Sequence, residues 1–226
     1  MSVIIKICGL STPEALDTAL EAGADMVGFV FFSPSPRHLA LDVARSLGQR
    51  VRGRAAKVAL TVNADDATLE AVTDALQPDL LQLHGKEAAT RVAALRSRFG
   101  RPVMKAIAVE DRADLAAVAT YARVADRLIF DARPPRDATR PGGLGKSFDW
   151  HLLENLDLGI PFMLSGGLDA ANVAEALRIT RAPAVDVSSG VERTPGVKDA
   201  DKIRAFVRAA REAAAVAVGQ SIGAPA

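Results

Sequence analysis

The chain holds one cysteine, one tryptophan and one tyrosine, and aromatic residues make up only 4% of it. A single cysteine cannot build a disulfide framework, which points to a reducing, cytoplasmic setting. The formal net charge is +1, so composition offers no surface for nucleic acid or for a membrane. No apolar run approaches the roughly 20 residues of a membrane-spanning helix. The opening MSVIIKICGL lacks the basic lead and the small-residue cleavage site of a secretory signal. Three histidines and the lone cysteine are scattered without zinc-type spacing, so no metal is expected.

What the chain does have is a hydrophobic content of 49% over 226 residues, enough for a domain that removes roughly 70% of its unfolded surface from water. Eight short runs read as strands: Val3–Ile7, Met26–Val30, Lys57–Thr61, Leu80–Leu83, Val103–Ala106, Arg127–Phe130, Pro161–Leu164 and Ala184–Val187. Most are apolar at consecutive positions, as strands covered on both faces are. Between them, helical spacing predicts Pro13–Ala22, with Ser11 or Thr12 as N-cap, then Ala67–Leu76, Glu87–Phe99, Arg112–Tyr121 and Ala171–Ile179. An Ala-rich segment, Asp201–Val218, reads as the last helix.

Eightfold strand–helix alternation favours an α/β fold closed as a single-domain (β/α)8 TIM barrel over residues 1–218, with a loosely held tail at 219–226. An open dinucleotide-binding sheet is disfavoured, because Cys8-Gly9-Leu10 follows the first strand where that fold carries G-x-G-x-x-G. The long Arg/Pro/Gly segment between Asp131 and Lys146 reads as an active-site lid at a strand end.

Ligands of parallel α/β proteins bind at the C-terminal ends of the strands, and there the chain places its reactive residues. Ser165-Gly166-Gly167 after the seventh strand and Ser188-Ser189-Gly190 after the eighth are Gly-rich turns with backbone N–H groups suited to a phosphate. Cys8 and Asp131 each stand one residue beyond a strand, so a barrel aims both at one mouth as a candidate base and acid. A lone cysteine serves packing as readily as chemistry, and a carboxylate at a strand end also caps turns. Arg37, after the second strand, suits a carboxylate or an aromatic ring, or is a solvated loop residue. His84 at the end of the fourth strand is a tuning residue or a structural one. Asp186 on the eighth strand, if buried, needs a partner. His84 and Asp186 are both taken as substrate-binding candidates.

Taken together, Lys6-Ile7-Cys8-Gly9-Leu10, Gly28-Phe29-Val30-Phe31, Ser35-Pro36-Arg37, Gln82-Leu83-His84-Gly85 and Asp131 recur in one family. So do the segment from Gly142 to Trp150, Leu164-Ser165-Gly166-Gly167-Leu168, and Val185-Asp186-Val187-Ser188-Ser189-Gly190-Val191-Glu192. From residue 3 to about residue 210 the chain closely resembles the phosphoribosylanthranilate isomerases of tryptophan biosynthesis. The resemblance implies a cofactor-free Amadori rearrangement of a phosphorylated sugar–anthranilate substrate. Cys8 matches the family's general base, Asp131 its general acid and Arg37 the residue that engages the anthranilate, while Gly166, Gly167, Ser189 and Gly190 fall in its phosphate loops. Leu10-Ser11 stands where Ile-Thr is more usual, and the end of the chain runs longer than the family needs.

Two rival functions stay open. One is the related phosphosugar isomerase of histidine biosynthesis, which needs a second phosphate site; Asn63-Ala64-Asp65 after the third strand offers no Gly-rich turn for it. The other is a non-catalytic phosphate-binding barrel, because fold does not decide function. Both a monomer and a homodimer fit the sequence.

Overall fold

In a computed structural model, the structure describes residues 3–222 other than 136, 139, 146, 155 and 157, with side chains described as far as residue 216. Eight parallel strands close into a barrel in chain order: β1 (Ile4–Cys8), β2 (Met26–Phe31), β3 (Ala56–Thr61), β4 (Leu80–Leu83), β5 (Val103–Val109), β6 (Arg127–Ala132), β7 (Phe162–Leu164) and β8 (Ala184–Val187). β1 pairs with both β2 and β8, which leaves the barrel no open edge. The helices are α1 (Pro13–Glu21), α2 (Leu41–Val51), α3 (Asp66–Leu76), α4 (Ala89–Phe99), α5 (Val118–Ala122), α6 (Val173–Thr180) and α7 (Ala200–Ile222). A two-stranded hairpin, β9 (Glu192–Thr194) with β10 (Val197–Lys198), stands between β8 and α7.

Local chemistry accounts for the helix starts. Thr12 caps α1 by accepting from the backbone N–H of Ala15 at 3.2 Å, with Pro13 at the first helical position. Asp65 caps α3 through the N–H of Thr68 at 2.8 Å. α2 was not expected. Its buried stripe is Ala44, Leu47, Gly48 and Val51, and two of those four are too small to register as apolar periodicity. Gly48 is required by a neighbour: a Cβ there would lie 3.0 Å from the carbonyl oxygen of Leu76.

Other elements differ from expectation too: the expected helix Arg112–Tyr121 is a 3-10 turn over Arg112–Ala117 and becomes α-helical only in α5. α4 begins at Ala89, because Glu87 is buried and its carboxylate accepts from the N–H groups of Asn63 and Gly85 instead of opening a helix. Among the described residues between β6 and β7 there is a 3-10 turn at Trp150–Leu153 and no α-helix. The last helix passes the expected end at 218 and runs to Ile222, while 223–226 of the expected tail lie outside the described residues.

Two cores result. Met26, Val58, Leu80, Met104, Ile129, Met163 and Ala184 fill the barrel interior, one from each of β2 to β8. A larger cluster seals the barrel against its helices. Among the described residues no helix is long and apolar enough to cross a membrane.

Candidate active site

A cleft of about 790 Å³, its open mouth included, lies at the C-terminal ends of the barrel strands. Cys8, Arg37, His84 and Asp131 line it, and so do Asp186 and the turns Ser165-Gly166-Gly167 and Ser188-Ser189. Of the expected phosphate residues only Gly190 does not face the cleft. It packs on the backbone of Leu168, which brings the turn after β8 against the turn after β7.

Cys8 and Asp131 were expected one residue beyond their strands, and the structure corrects both. Cys8 is the last residue of β1, paired with Gly28, and Asp131 is the second-last of β6, paired with Ala108. Ladder pairing extends further than the apolar runs suggest, and it fixes the direction of each side chain more firmly than a loop would.

Lys6 lies two residues before Cys8 and therefore on the same face of β1. It is fully buried, with its Nζ 2.8 Å from Asp186 Oδ1. Burial opposes its charge, but Asp186 and then Cys8 outweigh burial and push its pKa up to about 12. Ser165 donates its hydroxyl to the other oxygen of Asp186 at 3.1 Å. Asp186, expected to meet substrate, thus spends its carboxylate on two protein partners, which is the pairing its burial required. Gly28 makes room for this cluster: a Cβ there would fall 2.9 Å from Cys8 Sγ and 3.1 Å from Lys6 Nζ. Burial pushes the Cys8 thiol above its ordinary pKa. Lys6 pulls it down, Asp186 adds to the rise, and Lys198 again pulls it down.

Across the cleft, His84 Nε2 lies 3.1 Å from Asp131 Oδ2, and His84 Nδ1 is 3.0 Å from the side-chain nitrogen of Gln82. Asp131 Oδ1 accepts from the N–H of Ala132 at 2.9 Å. His84 therefore orients the carboxyl and is itself oriented by Gln82. Its loop is held by Glu87, whose buried carboxylate meets Lys105 Nζ at 3.1 Å.

Arg37, only 4% exposed, is no solvated loop residue. Its Nε and Nη2 donate to the two oxygens of Glu192 at 2.7 and 2.8 Å, and Nη2 also donates to the carbonyl of Gly143 at 3.1 Å. Glu192 also accepts from Lys198 Nζ at 2.8 Å. Burial would raise the Glu192 carboxyl, but Arg37 and Lys198 outweigh burial and hold it below the usual range.

Gly142 and Gly143, in the segment read above as a lid, lie against both ends of this arrangement. A Cβ on Gly142 would fall 2.5 Å from Asp131 Oδ2, and one on Gly143 would fall 2.5 Å from Arg37 Nη1. Only bare backbone fits this close to the two groups. Arg136, Thr139 and Lys146 of that segment lie outside the described residues.

Sequence reasoning assigned no role to Glu192 or Lys198. The Pro195-Gly196 turn signal between them could have revealed the hairpin that carries both. Among the described residues no group of three or more His, Cys, Asp and Glu is placed to hold a metal ion.

The closed parallel barrel, with reactive side chains gathered at its C-terminal mouth, defines an enzyme of the (β/α)8-barrel class. The model of the N-(5′-phosphoribosyl)anthranilate isomerase family matches residues 5–209. A relative of that description from Bradyrhizobium diazoefficiens is 69% identical over 211 residues, covering 93% of this chain and 95% of that protein. The crystal structure of phosphoribosyl anthranilate isomerase from Thermotoga maritima superposes with a TM-score of 0.84 at 34% identity, over 93% of this chain and 99% of that one. Another solved structure, phosphoribosyl anthranilate isomerase in complex with reduced 1-(o-carboxyphenylamino)-1-deoxyribulose 5-phosphate, superposes with a TM-score of 0.79 at 32% identity, over 93% and 99% of the two chains. The chain belongs to the N-(5′-phosphoribosyl)anthranilate isomerase family.

Proposed function

We propose that the chain converts N-(5′-phosphoribosyl)anthranilate into 1-(2-carboxyphenylamino)-1-deoxyribulose 5-phosphate, with Asp131 as general acid and Cys8 as general base, as a cytoplasmic step of tryptophan biosynthesis. The carrying observation is that these two side chains, from strands distant in the chain, enter one cleft. Asp131 delivers a proton to the furanose ring oxygen while the anthranilate nitrogen pushes the ring open, leaving an iminium at C1. The Cys8 thiolate takes the C2 proton, and the C2–H electrons neutralise the iminium to an enolamine. Tautomerisation then moves the enol proton to C1 and leaves the C2 ketone. One proton enters and one leaves, and the substrate's own nitrogen serves as electron sink.

The surroundings suit these roles. Burial raises the Cys8 pKa, and Lys6 and Lys198 oppose that rise and favour the thiolate, the form that takes the C2 proton. The paired turns after β7 and β8 hold the phosphate, and Arg37 engages the anthranilate carboxylate. Binding energy from these two ends orients the sugar between base and acid.

A Cys8→Ser and an Asp131→Asn variant test the assignment. Each loses about 10²–10⁴-fold in turnover while still binding the reduced product analogue. Full turnover in both would overturn the acid–base reading. A specific observation also disfavours the histidine-pathway substrate, which needs a second phosphate. After β3, the Glu87 carboxylate already takes the N–H groups of Asn63 and Gly85, and Asn63 Oδ1 takes that of Lys86. A buried acid stands where a second oxyanion cradle would be required. Purified protein is therefore expected to leave the histidine-pathway aminoimidazole substrate unchanged, as a direct turnover assay would report.

A further inference from the structure

We propose that Lys198, on the hairpin beyond the barrel, is a positioning residue for this reaction: by sharing the Glu192 carboxylate with Arg37, it keeps the Arg37 end of the cleft cationic toward the substrate carboxylate. The inference rests on the reading of Arg37 given above.

A bidentate guanidinium–carboxylate pair is well oriented but close to neutral as a whole, and it attracts a further anion weakly. Arg37 and Glu192 form such a pair in the protein interior. The hairpin adds a second cation to it. Lys198 is the cross-strand partner of Glu192 in the β9–β10 register, and its Nζ, almost wholly buried, reaches Glu192 Oε1 at 2.8 Å. Two cations on one carboxylate leave a net single positive charge where the pair alone leaves none.

The same ammonium reaches toward the base. Lys198 Nζ donates to Ser188 O at 2.9 Å and lies 3.3 Å from Ser188 Oγ, whose hydroxyl donates to the carbonyl of Cys8 at 3.1 Å. The charged groups acting on Cys8 are Lys6 from its own strand, Asp186 from β8 and Lys198 from β10. Those acting on Lys198 are Glu192, Cys8 and Arg37. Burial depresses the Lys198 pKa, and the Glu192 carboxylate opposes that and favours the ammonium.

The test is steady-state turnover of N-(5′-phosphoribosyl)anthranilate by Lys198→Met, Lys198→Arg and the double variant Lys198→Met/Glu192→Gln. Removing the net positive charge of the Arg37–Glu192–Lys198 group weakens the hold of Arg37 on the substrate carboxylate and raises KM about tenfold in Lys198→Met, with a smaller change in kcat. Lys198→Arg recovers most of this. The double variant also lowers KM again, because Arg37 regains an uncompensated charge, whereas a merely structural lysine predicts that losing Glu192 as well makes matters worse. In Lys198→Met the thiolate absorbance of Cys8, the only cysteine, titrates at higher pH than in wild type. Should the Met variant fail to fold, Lys198→Gln keeps a hydrogen-bond donor without the charge and is held to the same expectation. An unchanged KM in the neutral variant, or a double variant no better than the single, overturns the proposal. Cys8→Ser run alongside separates the two readings: if it turns over like wild type the acid–base assignment has failed, whereas an idle Cys8→Ser with an unchanged KM in Lys198→Met removes only the role of Lys198.

Discussion

Two layers of the same barrel, two residues apart along the same strands, are built for opposite purposes. The lower one is Val58, Leu80, Met104, Ile129, Met163 and Ala184, apolar throughout. Because strand side chains repeat every second residue, the next inward positions on those strands are Leu60, Gln82, Ala106, Asp131, Ser165 and Asp186. Most of these are polar, and nearly all of their buried polar atoms are tied to named partners. The lower layer holds the barrel together by close packing; the upper holds charge where water is scarce. On β1, Lys6 pairs with Asp186 of the upper set, and Cys8 stands two residues further on, so the thiol sits above a paired cation. The difference shows that a barrel can place a reactive layer one pleat above a structural one without altering its backbone.

Substitutions that cross this boundary sharpen the contrast. The largest loss of stability is expected from Lys6→Met, which leaves the Asp186 carboxylate buried with only Ser165 beside it; breaking such a pair costs about 3–5 kcal/mol, measurable by denaturant unfolding. Met104→Ala in the lower layer costs about 2–5 kcal/mol by opening a cavity, while the folded fraction keeps its turnover. A smaller effect is tied to pH. Because the folded-state pKa of Cys8 is raised, its contribution to stability is complete below the unfolded thiol's value of about 8.5 and fades as pH rises through the folded one. Unfolding curves above that pH should therefore weaken in wild type and stay flatter in Cys8→Ala. Least affected is the outer surface: Arg50→Ala removes the exposed pair with Asp17 and should leave the thermal midpoint where it was.

The strands were legible because apolar runs covered on both faces stand out against Gly, Ser and Cys at their ends. Their last residues were not, since Cys8 and Asp131 extend the ladder without being apolar in the ordinary sense. The helix of Ala44 and Gly48 escaped notice because close packing against Leu76 demands residues too small to mark a stripe. Glu87 looked like a helix opener, and only the fold reveals that it binds backbone N–H groups of two loops. The bond between Arg37 and Glu192 joins residues 155 apart, a distance across which local pattern carries no information. The cleft's inventory was thus readable from strand ends, but the ion pairs that orient it depend on closure of the barrel.

The most direct test compares two substitutions on β6, two residues apart: Asp131→Asn and Ile129→Val, each assayed for turnover of N-(5′-phosphoribosyl)anthranilate and for unfolding free energy. The expected result is a separation of effects. Asp131→Asn should lose about 10²–10⁴-fold in turnover with little change in stability, and Ile129→Val should lose about 0.5–1.5 kcal/mol with turnover intact. Wild-type turnover in Asp131→Asn would contradict the account.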